Sequence, residues 1–191
     1  MALDVAETEI PEVKRLLPRR FADQRGFFVE TWNAARMRAA GLDLAFVQDN
    51  HSYSAAAGTV RGLHYQAPPM AQAKLVRVAR GAVRDIVVDI RRGSPTYGQW
   101  VAEELSAENG VQLLIPRGFL HGFVTLVPDT DVLYKVDAHY SADCDGAVRF
   151  DDPDLAVDWK IDPRTAVLSE KDARAPLFRD FVTPFVYGDA P

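Results

Sequence analysis

The chain has 191 residues, a formal net charge of −5, 48% hydrophobic and 26% charged residues. These totals are those of an ordinary soluble globular protein with one domain, residues 1–191, large enough for a substantial core. They disfavour nucleic acid or an anionic membrane surface as partners, and the single Cys144 excludes an intrachain disulfide framework. The opening segment, Met1–Leu17, starts acidic and has no apolar stretch of signal-peptide type, and no run is long enough to span a membrane. With the lone cysteine, this predicts a cytoplasmic protein.

In chain order, Asn33 is placed to cap a helix over Ala34–Ala40, with Gly41 ending it. The middle reads as short strands over Lys74–Ala79, Val83–Ile90, Trp100–Leu105, Val111–Ile115, Phe119–Leu126 and Val132–Val136. Turn signals separate them, among them Arg92-Gly93-Ser94-Pro95 and Pro116-Arg117-Gly118. A short helix follows Ser169, and the aromatic tail Phe178–Tyr187 reads as a strand or an arm packed on the barrel or on a partner subunit. The pattern predicts an all-β jelly-roll barrel with a few short peripheral helices. Strand alternation puts Lys74 on one face with Val76 and Val78, and Tyr134 on one face with Val132 and Val136, so both can point inward.

Two spaced boxes resemble the signature motifs of cupin barrels. The first is Gly58, five residues, His64-x-Gln66, then Lys74, six residues, Gly81; the second is Gly110, five residues, Pro116-x-Gly118, two residues, His121. Metal cupins carry His where this chain has Gln66 and usually Glu where it has Lys74, and Thr125 replaces a final Asn. Two His without a carboxylate ligand, beside an ammonium, make a poor divalent-cation site. The boxes therefore predict no metal and point to stabilisation of an anion.

His64 can take a proton from carbon next to a carbonyl, and Lys74 can stabilise the enolate oxygen where water is excluded. Tyr134 on the opposite face can return a proton to carbon, which inverts the centre. The set suggests epimerisation α to a ketone without an organic cofactor. A carboxylate would fix the His64 tautomer, and Asp172 and Asp85 are both candidates. Each residue also has a bland reading: a packed core His, an edge-strand Lys, an interior Tyr, and an Asp in the first turn of a Ser169-capped helix.

Further runs cover nearly the whole chain: Phe21–Glu30, Gln48–Ser52, Arg61–Gln66, Lys74–Val78, Asp89–Pro95, Ile115–Phe119, Leu133–Lys135, Asp151–Asp154 and Leu168–Asp172. In order and content they resemble the dTDP-4-dehydrorhamnose 3,5-epimerase family. The resemblance implies a jelly-roll homodimer that shares its nucleotide site between chains. It implies His64 as base, Tyr134 as acid, Asp172 rather than Asp85 as partner of His64, and Lys74 near the C4 oxygen of the sugar. It also assigns Arg25, Glu30, Gln48, Asn50, Arg61, His121, Asp145 and Lys171 to binding of a dTDP-sugar. Small departures are Asp145 where the family usually has Glu, Asp143 where Glu is common and Phe150 where Trp is common. The implied reaction inverts C3 and C5 of dTDP-4-dehydro-6-deoxy-D-glucose to give dTDP-4-dehydro-L-rhamnose. The competitors are a single-centre epimerase, a keto-isomerase on the same barrel, a metal cupin and a non-catalytic cupin binding module.

Overall fold

A computed structural model describes residues 3–188. Among these residues thirteen strands form: β1 Leu3–Glu7, β2 Lys14–Pro18, β3 Arg20–Asp23, β4 Gly26–Val29, β5 Gln48–Ser54, β6 Val60–Gln66, β7 Lys74–Arg80, β8 Ala82–Asp89, β9 Trp100–Ser106, β10 Gln112–Ile115, β11 Phe119–Thr125, β12 Thr130–Val136 and β13 Asp145–Ala147. Two short helices, α1 Ala34–Ala39 and α2 Glu170–Ala173, lie outside them. One sheet has the order β1-β2-β10-β7-β12-β5, the other β13-β6-β11-β8-β9, and β3-β4 stands as a separate hairpin. The strand pairs within all three are antiparallel. This is the expected all-β jelly-roll sandwich.

Period-two alternation builds the space between the sheets. Val76, Val78, Leu113, Ile115 and Val132 of the six-stranded sheet meet Val83, Val87, Val101, Leu105, Phe119 and Phe123 of the other. The strand β8 is covered on both faces, because Ile86 and Val88 turn outward into a second cluster with Leu120, Val124, Phe150 and Trp159. That is why its sequence reads as a nearly unbroken apolar run. A third cluster, Leu16, Leu75 and Leu114, lies on the outer face of the six-stranded sheet under Met37 of α1.

The Asn33 side chain accepts a hydrogen bond from the Arg36 N–H and caps α1, which ends at Ala39 with Ala40 as its C-cap. The tail departs from a plain strand. It makes a 3-10 turn at Phe178–Asp180, packs Phe178, Phe181 and Phe185 on the second cluster, and bridges Val186 to Arg92.

Candidate active site

The strands β6 and β11 come unusually close, and glycine makes this feasible. A Cβ on Gly62, at φ +128°, would lie 2.6 Å from the Gly122 Cα. Next to this contact the register pairs His64 of β6 with His121 of β11, so two imidazoles sit abreast on neighbouring strands. Each has its own carboxylate. The His64 Nε2 lies 2.6 Å from Asp172 Oδ1, and the His121 Nε2 lies 3.0 Å from both oxygens of Asp85. Of the two candidates for the partner of His64, Asp172 lies on it and Asp85 lies on His121 instead.

The bland reading of Asp172 holds beside the chemical one. Its backbone N–H donates to the Ser169 hydroxyl at 3.1 Å and starts α2, while its buried side chain crosses to His64. Burial pushes the Asp172 carboxyl up, but hydrogen bonds from His64, Gly62 and Ser169 and the charge of His64 outweigh this and hold it below the usual carboxylate range. An ionised carboxylate only accepts, so the proton in this contact sits on the His64 Nε2.

A cavity of about 430 Å³ is lined by His64, Lys74, His121, Tyr134, Arg61, Lys171 and Asp172, with Ser52, Phe123, Val167 and Leu168 among its walls. Lys74 opens β7 and Tyr134 lies on β12, and the register pairs Tyr134 with Val76. Burial lowers the Lys74 ammonium from 10.5 to about 8, against the attraction of Asp85 and Asp145. Burial raises the Tyr134 phenol, with Arg61 opposing, so at neutral pH it retains its proton. Burial also lowers His121 in spite of Asp85, so this imidazole is neutral. The cavity therefore brings together an imidazole paired with a carboxylate, an ammonium in a desolvated setting and a protonated phenol.

At the two metal positions of the cupin pattern, Lys74 faces this cavity and Gln66 does not. The Gln66 amide is spent on the backbone of Met70, His139 and Ser141. Asp145 holds Lys171 in an ion pair and accepts from the Tyr140 hydroxyl at 3.3 Å. Gln48 and Asn50 lie on β5, bonded to each other at 2.8 Å, with Asn50 opposite Tyr134. Arg25 and Glu30 are elsewhere. Arg25 is strongly exposed on the β3-β4 hairpin and pairs with Asp23, and Glu30 pairs with Arg36 beside α1.

Sequence reasoning did not single out Ser52, Phe123, Val167 and Leu168 as site walls. Alternation from His121 would have found Phe123. The Ser52 hydroxyl is buried and has no partner among the described residues. A second cavity of about 490 Å³ near Leu42 carries charges that are already matched. Glu12 pairs with Arg91, Lys14 with Glu7, and Arg117 with Asp137.

The sequence model of the dTDP-4-dehydrorhamnose 3,5-epimerase family matches residues 7–180. A dTDP-4-dehydrorhamnose 3,5-epimerase of Sinorhizobium fredii is 51% identical over 180 residues, covering 93% of this chain and 91% of its own. Among solved structures, a dTDP-4-dehydrorhamnose 3,5-epimerase of Bacillus anthracis with TDP and PPi bound superposes with a TM-score of 0.89 at 51% identity, over 92% of this chain and 99% of its own. A dTDP-6-deoxy-D-glucose-3,5-epimerase of Legionella pneumophila in complex with dTDP-4-keto-L-rhamnose gives 0.91 at 42% identity, over 96% and 98%.

Proposed function

The chain belongs to the dTDP-4-dehydrorhamnose 3,5-epimerase family and is an isomerase, and on that premise we propose that it inverts both C3 and C5 of dTDP-4-dehydro-6-deoxy-D-glucose. Both carbons flank the C4 ketone, so each C–H is acidified by the same carbonyl. His64 takes the proton through Nδ1, with Asp172 on Nε2 fixing the tautomer and stabilising the imidazolium that forms. Negative charge then moves to the C4 oxygen, where the buried Lys74 ammonium stabilises the enolate. Tyr134 delivers a proton to the opposite face of the carbon, which inverts it. The observation that carries this reading is the 2.6 Å His64–Asp172 bond in one cavity with Lys74 and Tyr134.

Arg61 and Lys171 line the same cavity, and their positive charge suits binding of a nucleotide diphosphate at this end. The TDP and dTDP-sugar complexes of the relatives support that ligand class. Arg25 and Glu30 do not reach the cavity of their own chain, and the hairpin that carries Arg25 exposes Phe27 and Phe28. A homodimer in which this hairpin serves the partner's site accounts for both facts. The test is incubation with dTDP-4-dehydro-6-deoxy-D-glucose in deuterium oxide, followed by NMR of the sugar ring. Deuterium at C3 and C5 with formation of the L-rhamnose precursor is expected. Label at one carbon alone would leave a single-centre epimerase.

A further inference from the structure

The residue that stands where a metal cupin has its second His takes no part in the chemistry above. Gln66 is the last residue of β6, two positions beyond His64, and is 5% exposed. Its amide NH2 donates to the carbonyls of Met70 and of His139, the latter at 3.0 Å, and its Oε1 accepts from the Ser141 N–H at 2.8 Å. Two carbonyls on one side and an N–H on the other fix the amide in one orientation. His139 and Ser141 flank Tyr140, whose own N–H donates to the Gln48 side chain at 3.0 Å. The backbone around an exposed tyrosine is thus tied at three successive residues by two buried or half-buried amides. The tyrosine hydroxyl in turn reaches Asp145, and Asp145 holds Lys171 at the cavity wall.

Nearby bonds show that Gln66 joins two loops rather than merely filling space. Gln72 donates to the Ala138 carbonyl at 2.8 Å, and the Ala67 N–H donates to the Cys144 carbonyl at 2.7 Å. Gln66 is the member of this set that is continuous with the strand carrying His64, and the register of β13 places Asp145 opposite it. A metal-binding His at this position would turn toward the barrel. A glutamine is long enough to turn toward the loops, and its amide supplies two donors and an acceptor for the three backbone groups, where a neutral imidazole supplies one of each.

We propose that Gln66 is a positioning residue that holds loop 138–141 and, through Tyr140 and Asp145, sets the nucleotide end of the substrate site relative to His64. The proposal rests on the reading of Asp145 and Lys171 as substrate-binding residues. Its test is titration of the full-length protein with dTDP alone, together with steady-state kinetics on the dTDP-sugar, for the wild type, Gln66→Met and Gln66→Glu. Gln66→Met keeps the side-chain length and removes every bond. It leaves buried backbone groups unpaired, so the dTDP Kd and the KM are expected to rise about tenfold while kcat stays within about twofold. Gln66→Glu keeps an acceptor for Ser141 and faces two carbonyls with a carboxylate, so it is expected to weaken dTDP further. A Gln66→Met protein that binds dTDP as the wild type does would overturn the proposal. So would a fall in kcat at unchanged KM. A wild type that fails to bind dTDP would instead remove the functional reading beneath it. If Gln66→Met does not fold, amide hydrogen exchange of the wild type decides. Added dTDP is expected to slow exchange across residues 138–145, the Ser141 N–H included, and unchanged exchange there would overturn the proposal.

Discussion

Replacing Lys74 with methionine separates what the active site needs from what the fold prefers. The ammonium of Lys74 loses its proton at about 8 in the folded chain and at 10.5 when unperturbed, chiefly because burial disfavours its charge. At about 1.4 kcal/mol per pH unit, carrying the charged form costs the fold roughly 3 kcal/mol at pH 7. Methionine has similar length and no charge to desolvate. Lys74→Met is therefore expected to be more stable than the wild type at pH 7, by up to about 3 kcal/mol, while epimerisation collapses. The sign of the pH dependence follows from proton counts. Between about 8 and 10.5 the unfolded chain keeps the proton that the folded chain has lost, so wild-type stability rises with pH across that window. The gap between the variant and the wild type should close over the same range. Urea unfolding of both proteins at pH 7 and near pH 10, at one fixed protein concentration, measures this. A variant no more stable at pH 7, or a gap that widens as pH rises, would refute the desolvated ammonium and the role built on it.

Asp172→Asn keeps the shape of the His64 partner but removes the charge that stabilises the imidazolium, and kcat should fall by about 10²- to 10⁴-fold with little change in dTDP affinity, measured by kinetics and titration. In the wild type, Asp172 is held below the usual carboxylate range by bonds made only in the folded chain. Its stabilising effect is therefore full above the normal Asp pKa and is lost as pH falls through its lowered value, which acid-unfolding curves of wild type and Asp172→Asn should show. Tyr134→Phe removes the proposed acid and leaves the proposed base, so deuterium should still exchange into the substrate while formation of the inverted product drops, as read by NMR of the ring protons.

The parts of the fold that bury an apolar face were legible, and the polar parts were not. The sequence reading of Lys74–Ala79 and Trp100–Leu105 fell within one residue of β7 and β9, because Val76, Val78, Val101 and Leu105 alternate into the core. The strand β5, Gln48–Ser54, shows no such alternation. Its Asn50 lies opposite Tyr134 and its Ser52 lines the cavity, while Asp49, His51 and Tyr53 are exposed, so neither face carries an apolar signal. The hairpin β3-β4 exposes Phe27 and Phe28, so its apolar residues do not alternate into a core and it is unreadable as a packed strand pair. In the site, spacing brought out His64, Lys74 and His121, since a barrel repeats its inward positions. Spacing could not pair them with carboxylates. Asp85 reaches His121 across β8 and β11, and Asp172 reaches His64 across more than a hundred residues of chain, contacts that belong to topology. The tail was half readable. Its aromatic residues pointed to packing, but the 3-10 turn at Phe178–Asp180 and the Arg92–Val186 bridge follow from the surface it lands on.

The central claim is that His64 is the base for both carbons in the cavity it shares with Lys74 and Tyr134. The most direct measurement is the rate of solvent deuterium entry at C3 and at C5 of dTDP-4-dehydro-6-deoxy-D-glucose in the wild type and in His64→Ala. The claim predicts entry at both carbons in the wild type and loss of both in the variant while dTDP still binds. Exchange that persists at either carbon in His64→Ala would contradict it.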